Sequence, residues 1–330
     1  MHSVTLHGST FYNGDCIPGV ADYIPDSSVD LIISDPPYGI EGDRLHRHYN
    51  RDENFVVDGY VEVPAARYNE FSCRWIHEAE RVLRPGGSMY IVSGYTNLYH
   101  ILHALRTTGL KEVNHIIWKY RFGVFTRRKY ISSHYHILFY EKPGGRRTFN
   151  LESRYGLADK DKSGRSPNNA DREDVWAINR EYKRGQVKNK NELPMNLLVK
   201  MIQYSSNEGD LVCDFFLGGF STAKAAIGMN RRVAGFEISR PVFDAKIAEI
   251  GKIHPGCLLP MDQKPRTGSP ENRGKAWTRE DLKRLGEKYH RLTAAGSTKK
   301  QVIAELGKEF RRGRWAIEKA LQKAGLERGV

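Results

Sequence analysis

An apolar run that stops abruptly at Asp-Pro-Pro-Tyr constrains this chain more than any other segment. Residues 29–34 predict a buried strand, and Asp35, Pro36, Pro37 and Tyr38 follow directly. Each proline fixes its own φ, and the second restricts the first, so the backbone after Asp35 has little freedom. The Asp35 carboxylate and the Pro36 carbonyl accept hydrogen bonds, and Tyr38 offers a flat face. This set fits a planar ring bearing an amino group, such as a nucleobase, although the segment alone is equally typical of a plain turn.

The composition is typical of a soluble globular protein with more than one domain. The chain has 330 residues, of which 39% are hydrophobic and 28% charged. No run is long enough to span a bilayer and residues 1–8 lack the start of a signal peptide, so no membrane partner and a cytoplasmic location are expected. The cysteines form no Cys-x-x-Cys pair, and His46 and His48 have no further ligands in pattern, so no metal site is expected.

The charge distribution indicates a polyanionic partner. The net charge is +13. Residues 264–330 contain 18 Lys and Arg against 8 Asp and Glu, a net of +10, and residues 144–191 contain 12 against 7, a net of +5. The excess therefore lies outside the segments that carry the apolar runs.

Hydrophobic periodicity predicts alternating helices and strands. Helices are predicted at 65–83 and 99–107, and Arg84–Gly87 would end the first of them. Strands are predicted at 88–92, 113–118 and 136–140. Such alternation indicates an α/β fold with a mainly parallel sheet and helices on both faces.

A second strand-to-turn segment follows an amphipathic helix at 193–202. The strand 211–213 leads into Asp214 and a turn with Gly218 and Gly219, and the strand 232–236 ends at Glu237, 19 residues after Gly218. This spacing is typical of a nucleotide-like cofactor site in which a carboxylate binds ribose hydroxyls. The turn lacks the Gly-Lys-Ser/Thr of a triphosphate site. Asp15 and Asp35 also follow predicted strands, so four acids are expected at one sheet edge.

Cations alternate with aromatic residues between 119 and 130, which suits contact with a nucleic acid strand. The alternative is a solvated basic hairpin. The basic region 144–191, poor in aliphatic residues, is expected to contact a ligand rather than build a core. The predicted DNA contacts in the first of these segments are Lys119, Arg121, Arg127, Arg128 and Lys129.

The basic tail predicts a separate helical module. Residues 263–275 have the composition of a linker, and 276–330 predict three short helices, the first opened by Thr278. They resemble a helix-turn-helix DNA-binding module, and the alternative is a small solvated bundle or an oligomerisation unit. The predicted DNA contacts here are Arg311, Arg312, Arg314 and Lys319.

In their order along the chain, these segments resemble the amino-directed, S-adenosylmethionine-dependent DNA methyltransferases of the beta group. In that family an Asp-Pro-Pro-Tyr segment precedes the target-recognition region, which precedes an Asp-Pro-Phe-x-Gly-x-Gly cofactor segment; the likeness covers roughly residues 10–250. Two residues depart from the pattern, because Phe215 replaces the proline and Phe220 the last glycine. Order, rather than any one motif, makes the resemblance specific.

The resemblance implies a Rossmann-like doubly wound methyltransferase sheet in permuted order over 1–262, with the DNA-contacting region inserted at about 119–192. It implies that Asp15 lies near the adenine of S-adenosylmethionine, that Glu237 binds its ribose, and that Asp214, Phe216 and Gly218 shape the methionine pocket. Gly219, Ser221, Thr222 and Asp35 are expected to line the same pocket.

The expected activity is methyl transfer to the N6 of a flipped adenine in double-stranded DNA, with Asp35, Pro36, Pro37 and Tyr38 as the catalytic segment. The alternatives are cytosine-N4 methylation and a catalytically inactive DNA-binding regulator. The sequence leaves open whether the protein forms a homodimer.

Overall fold

The computed structural model describes residues 1–37, 63–121, 127–128, 130–150, 172–179, 192–259, 272 and 276–326, except the side chains of Lys300 and Trp315. Tyr38, Lys129, His46 and His48 lie outside the described residues, as does most of the predicted linker. The chain divides into two compact units, Met1–Gln263 and Lys264–Val330.

One sheet runs through the first unit. Its described strands are β1 (His2–Leu6), β2 (Ser9–Asn13), β3 (Val29–Ser34), β4 (Leu83–Ser93), β5 (Lys111–Lys119), β6 (His134–Glu141), β7 (Val175–Ala177), β8 (Leu211–Asp214) and β9 (Arg232–Glu237). They lie side by side in the order β1-β2-β9-β8-β3-β4-β6-β5-β7.

The middle of the sheet is parallel. β2, β9, β8, β3 and β4 run in one direction, so their carboxyl ends meet at one edge. β6 is antiparallel to both β4 and β5, and β1 is antiparallel to β2. The predicted mainly parallel α/β sheet is confirmed, with antiparallel strands that the helix–strand alternation does not reveal.

Helices pack on both faces of this sheet. In the first unit they are α1 (Cys16–Tyr23), α2 (Tyr68–Val82), α3 (Leu98–Arg106), α4 (Met195–Ser205), α5 (Ser221–Gly228) and α6 (Arg240–Ile250). The first three bury Val20, Trp75 and Ile101 on one face. The other three bury Leu198 and Phe243, among others, on the opposite face. The doubly wound arrangement is therefore confirmed.

The junction of α2 and β4 corrects the predicted helix at 65–83. Ala65–Arg67 is a 3₁₀ turn, and Leu83 already opens β4. The N–H of Gly86 donates to the Lys142 carbonyl at 2.7 Å, and a Cβ at Gly86 would overlap the backbone of Arg146. Arg-Pro-Gly-Gly is predicted to separate the helix from the next strand, but the strand already runs through it. Gly86 permits this because it has a φ of 77° and no Cβ.

The basic region also departs from expectation. Val175–Ala177 forms β7 beside β5, and Trp176 and Ile178 are buried in the core. The indole N–H of Trp118 donates to the Ile178 carbonyl at 2.8 Å. Trp176 and Ile178 therefore build core, which corrects the prediction that this region does not.

The second unit consists, in its described part, of the predicted three helices: α7 (Arg279–Ala294), α8 (Lys299–Glu309) and α9 (Arg314–Lys323). The Thr278 side chain caps α7 by accepting from the Asp281 N–H at 3.0 Å, and Thr298 forms a capping box with Gln301 at α8. Leu285, Leu306 and Ile317 are fully buried where the helices meet. Across the described parts of both units, no helix is long and apolar enough to cross a membrane.

Candidate active site at the carboxyl edge of the sheet

Four acidic residues follow four neighbouring parallel strands. Asp214 and Glu237 end β8 and β9, Asp35 follows β3, and Asp15 lies two residues beyond β2. Strand register places Asn13 beside Glu237 and Asp214 beside Gly235. The structure thus brings the four predicted acids to one edge, where open α/β sheets bind ligands.

Backbone groups hold Glu237 in place. Its Oε2 accepts from the Gly218 N–H at 2.8 Å and its Oε1 from the Ser239 N–H at 2.7 Å. Burial raises the pKa of this carboxyl, and the two N–H groups oppose that rise. Because a carboxylate has about four lone-pair sites, each oxygen can accept a further hydroxyl.

Asp214 is a buried carboxyl with a strongly perturbed pKa. Burial raises its pKa to about 6, and the nearby Glu237 carboxylate adds to the rise. Hydrogen bonds from the Phe216 N–H, at 3.0 Å, and from the Thr222 hydroxyl favour the ionised form. Thr222, which is predicted to line the cofactor pocket, therefore donates a hydrogen bond to Asp214 and lowers the pKa of its carboxyl.

Asp15 caps α1. Its Oδ1 accepts from the Ile17 N–H at 2.9 Å, and the neighbouring Gly14 N–H donates to the Glu237 carbonyl at 3.0 Å. These bonds tie the end of β2 to the end of β9. Asp15 and Glu237 consequently keep a fixed spacing along the edge.

The residue before the Asp-Pro-Pro segment is hydrogen-bonded to the segment that leads into the glycine-bearing turn. Ser34, which is buried and precedes Asp35, accepts from the Phe215 N–H through its hydroxyl at 3.4 Å. Pro36 is buried, whereas Asp35 and Pro37 are half-buried and so reach the surface of the edge. The described part of the predicted catalytic segment therefore leaves the sheet next to the strand end from which the turn starts.

The two departures from the family pattern are explained by packing. Phe215 packs against Trp75, with ring centroids 5.8 Å apart. Phe220 has a left-handed φ of 58°, and its buried ring lies 5.6 Å from Phe11 and 6.1 Å from Phe243. The strain costs about 1–2 kcal/mol, and burying a phenylalanine contributes about 1.5–3 kcal/mol. Both rings belong to the core.

The turn brings in one acid that sequence reasoning missed. Gly218 has a left-handed φ of 48°, and a Cβ added to Gly219 would overlap the Glu192 carboxylate. Glu192 thus lies against the turn, with no motif in the sequence that marks it. Ser221 opens α5 immediately after the turn and is half-buried.

Exposed cations lie beyond the end of β5. Lys119, Arg121, Arg127 and Arg128 are exposed, and Tyr130 is 98% exposed. Tyr120 instead packs inward against Trp118 and Tyr135, at centroid distances of 5.8 and 5.6 Å. The described residues here thus offer charge and one open aromatic face.

Arg312 corrects one predicted DNA contact. It is 7% exposed, its guanidinium lies 4.2 Å over the Trp277 ring, and it donates to the carbonyls of Asn272 at 3.1 Å and Ala276 at 2.9 Å. A group held this way inside the second unit is not presented to DNA. Arg311, Arg314 and Lys319 are exposed, as their predicted role requires.

Comparison with known proteins identifies the family of the first unit. Residues 29–248 match the DNA methylase family of N6 and N4 methyltransferases. The chain belongs to the DNA methylase family. The match contains β3, the turn and Glu237, but none of the second unit.

Relatives of this DNA methylase include Type II methyltransferases. M.HpaI of Haemophilus parainfluenzae is 31% identical over 66% of this chain and 66% of its own length. M.BamHI of Bacillus amyloliquefaciens is 30% identical over 69% of this chain and 54% of its own length. This DNA methylase thus spans about two thirds of the length of the first relative and about half of the length of the second.

Solved structures share the fold. A putative DNA modification methylase of Thermus thermophilus, complexed with S-adenosyl-L-methionine, has a TM-score of 0.51 and 23% identity over 73% of this chain and 93% of its own. The PvuII DNA methyltransferase, described as cytosine-N4-specific, has a TM-score of 0.55 and 14% identity over 77% of this chain and 90% of its own. Both likenesses show the methyltransferase fold alone.

S-adenosylmethionine is the cofactor of this family, and the edge of the DNA methylase fits it. The cofactor carries a sulfonium, an ammonium and a ribose hydroxyl pair, and the edge presents carboxylates. The backbone of the turn is open at Gly218, where an added Cβ would come no nearer than 3.9 Å to the Phe216 carbonyl oxygen, so a ligand can approach it closely. Within the described residues no group of acidic, histidine or cysteine side chains could hold a metal ion.

Proposed function

We propose that this DNA methylase transfers a methyl group from S-adenosylmethionine to the exocyclic N6 of a flipped adenine in double-stranded DNA. The observation that carries the proposal is the link between Ser34 and Phe215. This bond holds the end of the strand that leads into Asp35 against the start of the turn, which supports a site shared by Asp35 and the predicted cofactor turn. Methyl donor and acceptor amine must meet at such a junction.

The cofactor is held by groups that the fold already orients. Glu237 accepts the ribose hydroxyls, Asp15 borders the adenine, and Asp214, Phe216 and Gly218 enclose the methionine part. Glu192, which lies against Gly219, adds a carboxylate for the ammonium group. When bound, the cofactor supplies an electrophilic methyl group on a sulfonium.

The target base is held by the Asp-Pro-Pro-Tyr segment. An exocyclic amine is a poor nucleophile because its lone pair is delocalised into the ring. Hydrogen bonds from the amino protons to Asp35 and to the Pro36 carbonyl orient the nitrogen and favour its pyramidal form. Asp35 need not be a strong base, because the nitrogen becomes acidic as methyl transfer begins.

Base flipping has a cost that the site must offset. Extruding a base costs a few kcal/mol, and stacking on an aromatic ring such as Tyr38 contributes about 1–3 kcal/mol. The remainder comes from the DNA backbone, through exposed Lys119, Arg121, Arg127 and Arg128 together with Lys129. Tyr130 adds a stacking face.

In the beta-group methyltransferases that the sequence resembles, aspartate at the first position of the segment is more typical of adenine-N6 than of cytosine-N4 methylation, which supports adenine as the target. The rival function, a DNA-binding regulator without catalysis, is motivated by the altered cofactor turn. Its motivation weakens because Phe215 and Phe220 pack into the core. The relatives named above are Type II methyltransferases, so we propose a restriction–modification context in the cytoplasm for this chain.

Nucleoside mass spectrometry of duplex DNA incubated with the protein and S-adenosylmethionine tests the proposal. We expect N6-methyladenine, and no product when the cofactor is omitted. N4-methylcytosine as the only product would overturn the choice of base. No modified nucleoside, together with no measurable cofactor binding, would favour the regulator.

A further inference from the structure

The second unit contains a helix pair joined by a turn of the length found in DNA-reading motifs. α8 ends at Glu309 and α9 begins at Arg314, so four residues join them. Helix-turn-helix motifs use a turn of three to four residues. The Arg312 N–H donates to the Gly307 carbonyl at 3.0 Å, and a Cβ at Gly307 would lie 3.2 Å from the Arg312 oxygen. The turn therefore folds tightly back on α8, against a residue that has no side chain.

One face of α9 is committed to the core of the unit. Ile317 and Leu321 are fully buried, and Ala320 is 5% exposed. They pack with Leu285 of α7 and Leu306 of α8. α9 is thus rigidly placed, as a helix that enters a groove must be.

The turn before α9 and the exposed positions along α9 carry basic residues. Arg311, Arg314, Lys319 and Lys323 are exposed. Glu318 pairs with Arg314 at 2.9 Å, in an (i, i+4) pair whose arginine side chain is 77% exposed. Exposed pairs of this kind contribute little, so Arg314 can exchange Glu318 for a phosphate. Glu309, at the end of α8, is paired with Arg284 and Lys288 of α7.

Arg312 fixes the turn from inside. Its guanidinium lies over Trp277 and donates to the carbonyls of Asn272 and Ala276, in the segment before α7. The same residue donates its backbone N–H to α8. Arg312 is a positioning residue that ties α8, the turn and the start of α7 together.

We propose that the second unit is a separate duplex-DNA-binding module that lays α9 in the major groove. Its contacts come from Arg311, Arg314 and Lys319. In helix-turn-helix proteins the second helix lies in the major groove, and here Arg314 at its start and Lys319 further along would each pair with a phosphate. The inference rests on the proposed function only in that both take duplex DNA. The DNA methylase family match ends before this unit, so the module adds a second recognition element.

The test uses the full chain carrying R314A and K319A together, with K283A and R291A on α7 as the matched control pair of exposed cations. Binding to a fluorescently labelled duplex is measured across a potassium chloride titration. Each phosphate contact contributes about 0.9 to the slope of log affinity against log salt. We expect R314A/K319A to lower that slope by about 2 and to weaken binding roughly tenfold at low salt.

S-adenosylmethionine binding is measured on the same proteins and should be unchanged. A slope for R314A/K319A equal to that of the control pair would overturn the module's role. Loss of binding in both pairs alike would also overturn it, because the effect would then be one of total charge. Absence of methyl transfer in every protein would contradict the proposed function and leave the salt slopes to decide this inference.

Discussion

At the scale of the residue, Asp214 shows how the site and the stability of the fold oppose each other. Its carboxyl is buried, and burial raises its pKa to about 6. Above that pH the folded protein holds a desolvated charge that the unfolded chain would keep in water. The Phe216 N–H and the Thr222 hydroxyl offset only part of this cost. A buried anion suits a site for a cationic ligand.

Asp214→Asn should therefore stabilise the ligand-free protein at about pH 8 and weaken cofactor binding. The folded pKa lies above the ordinary value of 3.8, so stability from this group is present below about pH 4 and is lost as the pH rises through about 6. A shift of about two pKa units corresponds to at most about 3 kcal/mol. Urea unfolding of the variant and the wild type at about pH 8 and about pH 4 measures the gain in the free energy of unfolding.

Asp22→Asn on the exposed face of α1 is the matched control and should change neither quantity. At about pH 4 the advantage of Asp214→Asn should shrink, because the wild-type carboxyl is then protonated in the folded state and its burial no longer involves a charge. A variant that is less stable than wild type at about pH 8 would contradict the account.

Phe220 presents the opposite balance, in which burial exceeds strain. Phe220→Gly relieves a left-handed backbone at about 1–2 kcal/mol but leaves a cavity beside Phe11 and Phe243, and large-to-small changes of this kind cost about 3–5 kcal/mol. We expect a net loss of about 2–3 kcal/mol in the free energy of unfolding. Denaturant titration measures it.

The control for this change is Ser27→Gly. Ser27 is exposed and also has a left-handed φ, of 52°. Relief of strain without loss of packing should leave that variant as stable as wild type or slightly more stable. A stabilised Phe220→Gly would show that strain, and not packing, dominates at position 220.

At the scale of the element, hydrophobic patterns in the sequence predict those strands and helices whose formation depends on neighbouring residues. The strand before Asp35 and the strand before Asp214 follow from apolar runs closed by acids, and the three C-terminal helices from their periodicity. The antiparallel β6 and the three-residue β7 depend on which strands pair, and that is decided between distant residues. The Ser34–Phe215 bond joins residues 181 apart in sequence.

The candidate site divides in the same way. Asp15, Asp35, Asp214 and Glu237 were predictable because each ends or closely follows its own strand. Glu192 was not, because only the fold places it on Gly219. Arg312 was predicted to contact DNA because it lies in a basic run, yet Trp277 and two backbone carbonyls hold it inside. A charge run does not reveal which of its members is buried.

Arg312→Lys should destabilise the second unit while preserving its charge. Lysine lacks the planar fork that stacks on Trp277 and reaches two carbonyls at once. We expect faster amide exchange across α9 and the turn, equivalent to about 1–2 kcal/mol, with the helices of the first unit unaffected. Arg311→Lys, on the exposed neighbour, is the control. Equal rates of amide exchange in both variants would contradict the role of Arg312 as a positioning residue.

At the scale of the whole molecule, the two units differ in what they offer to DNA. The first unit carries the acidic edge at the carboxyl ends of its parallel strands. The second carries much of the net charge, since residues 264–330 hold 18 Lys and Arg against 8 Asp and Glu. The two proposals thus assign methyl transfer to the first unit and additional DNA affinity to the second, so that mutations in each unit should affect different measurements.

The central claim is that Asp35 orients the target amine next to the cofactor turn. The most direct measurement compares Asp35→Ala with Asp22→Ala, using transfer of a tritiated methyl group to duplex DNA and calorimetric titration with S-adenosylmethionine. We predict that Asp35→Ala loses at least about a hundredfold in transfer rate and binds the cofactor nearly as well as wild type, and that Asp22→Ala changes neither. Equal transfer rates for Asp35→Ala and wild type would contradict the account.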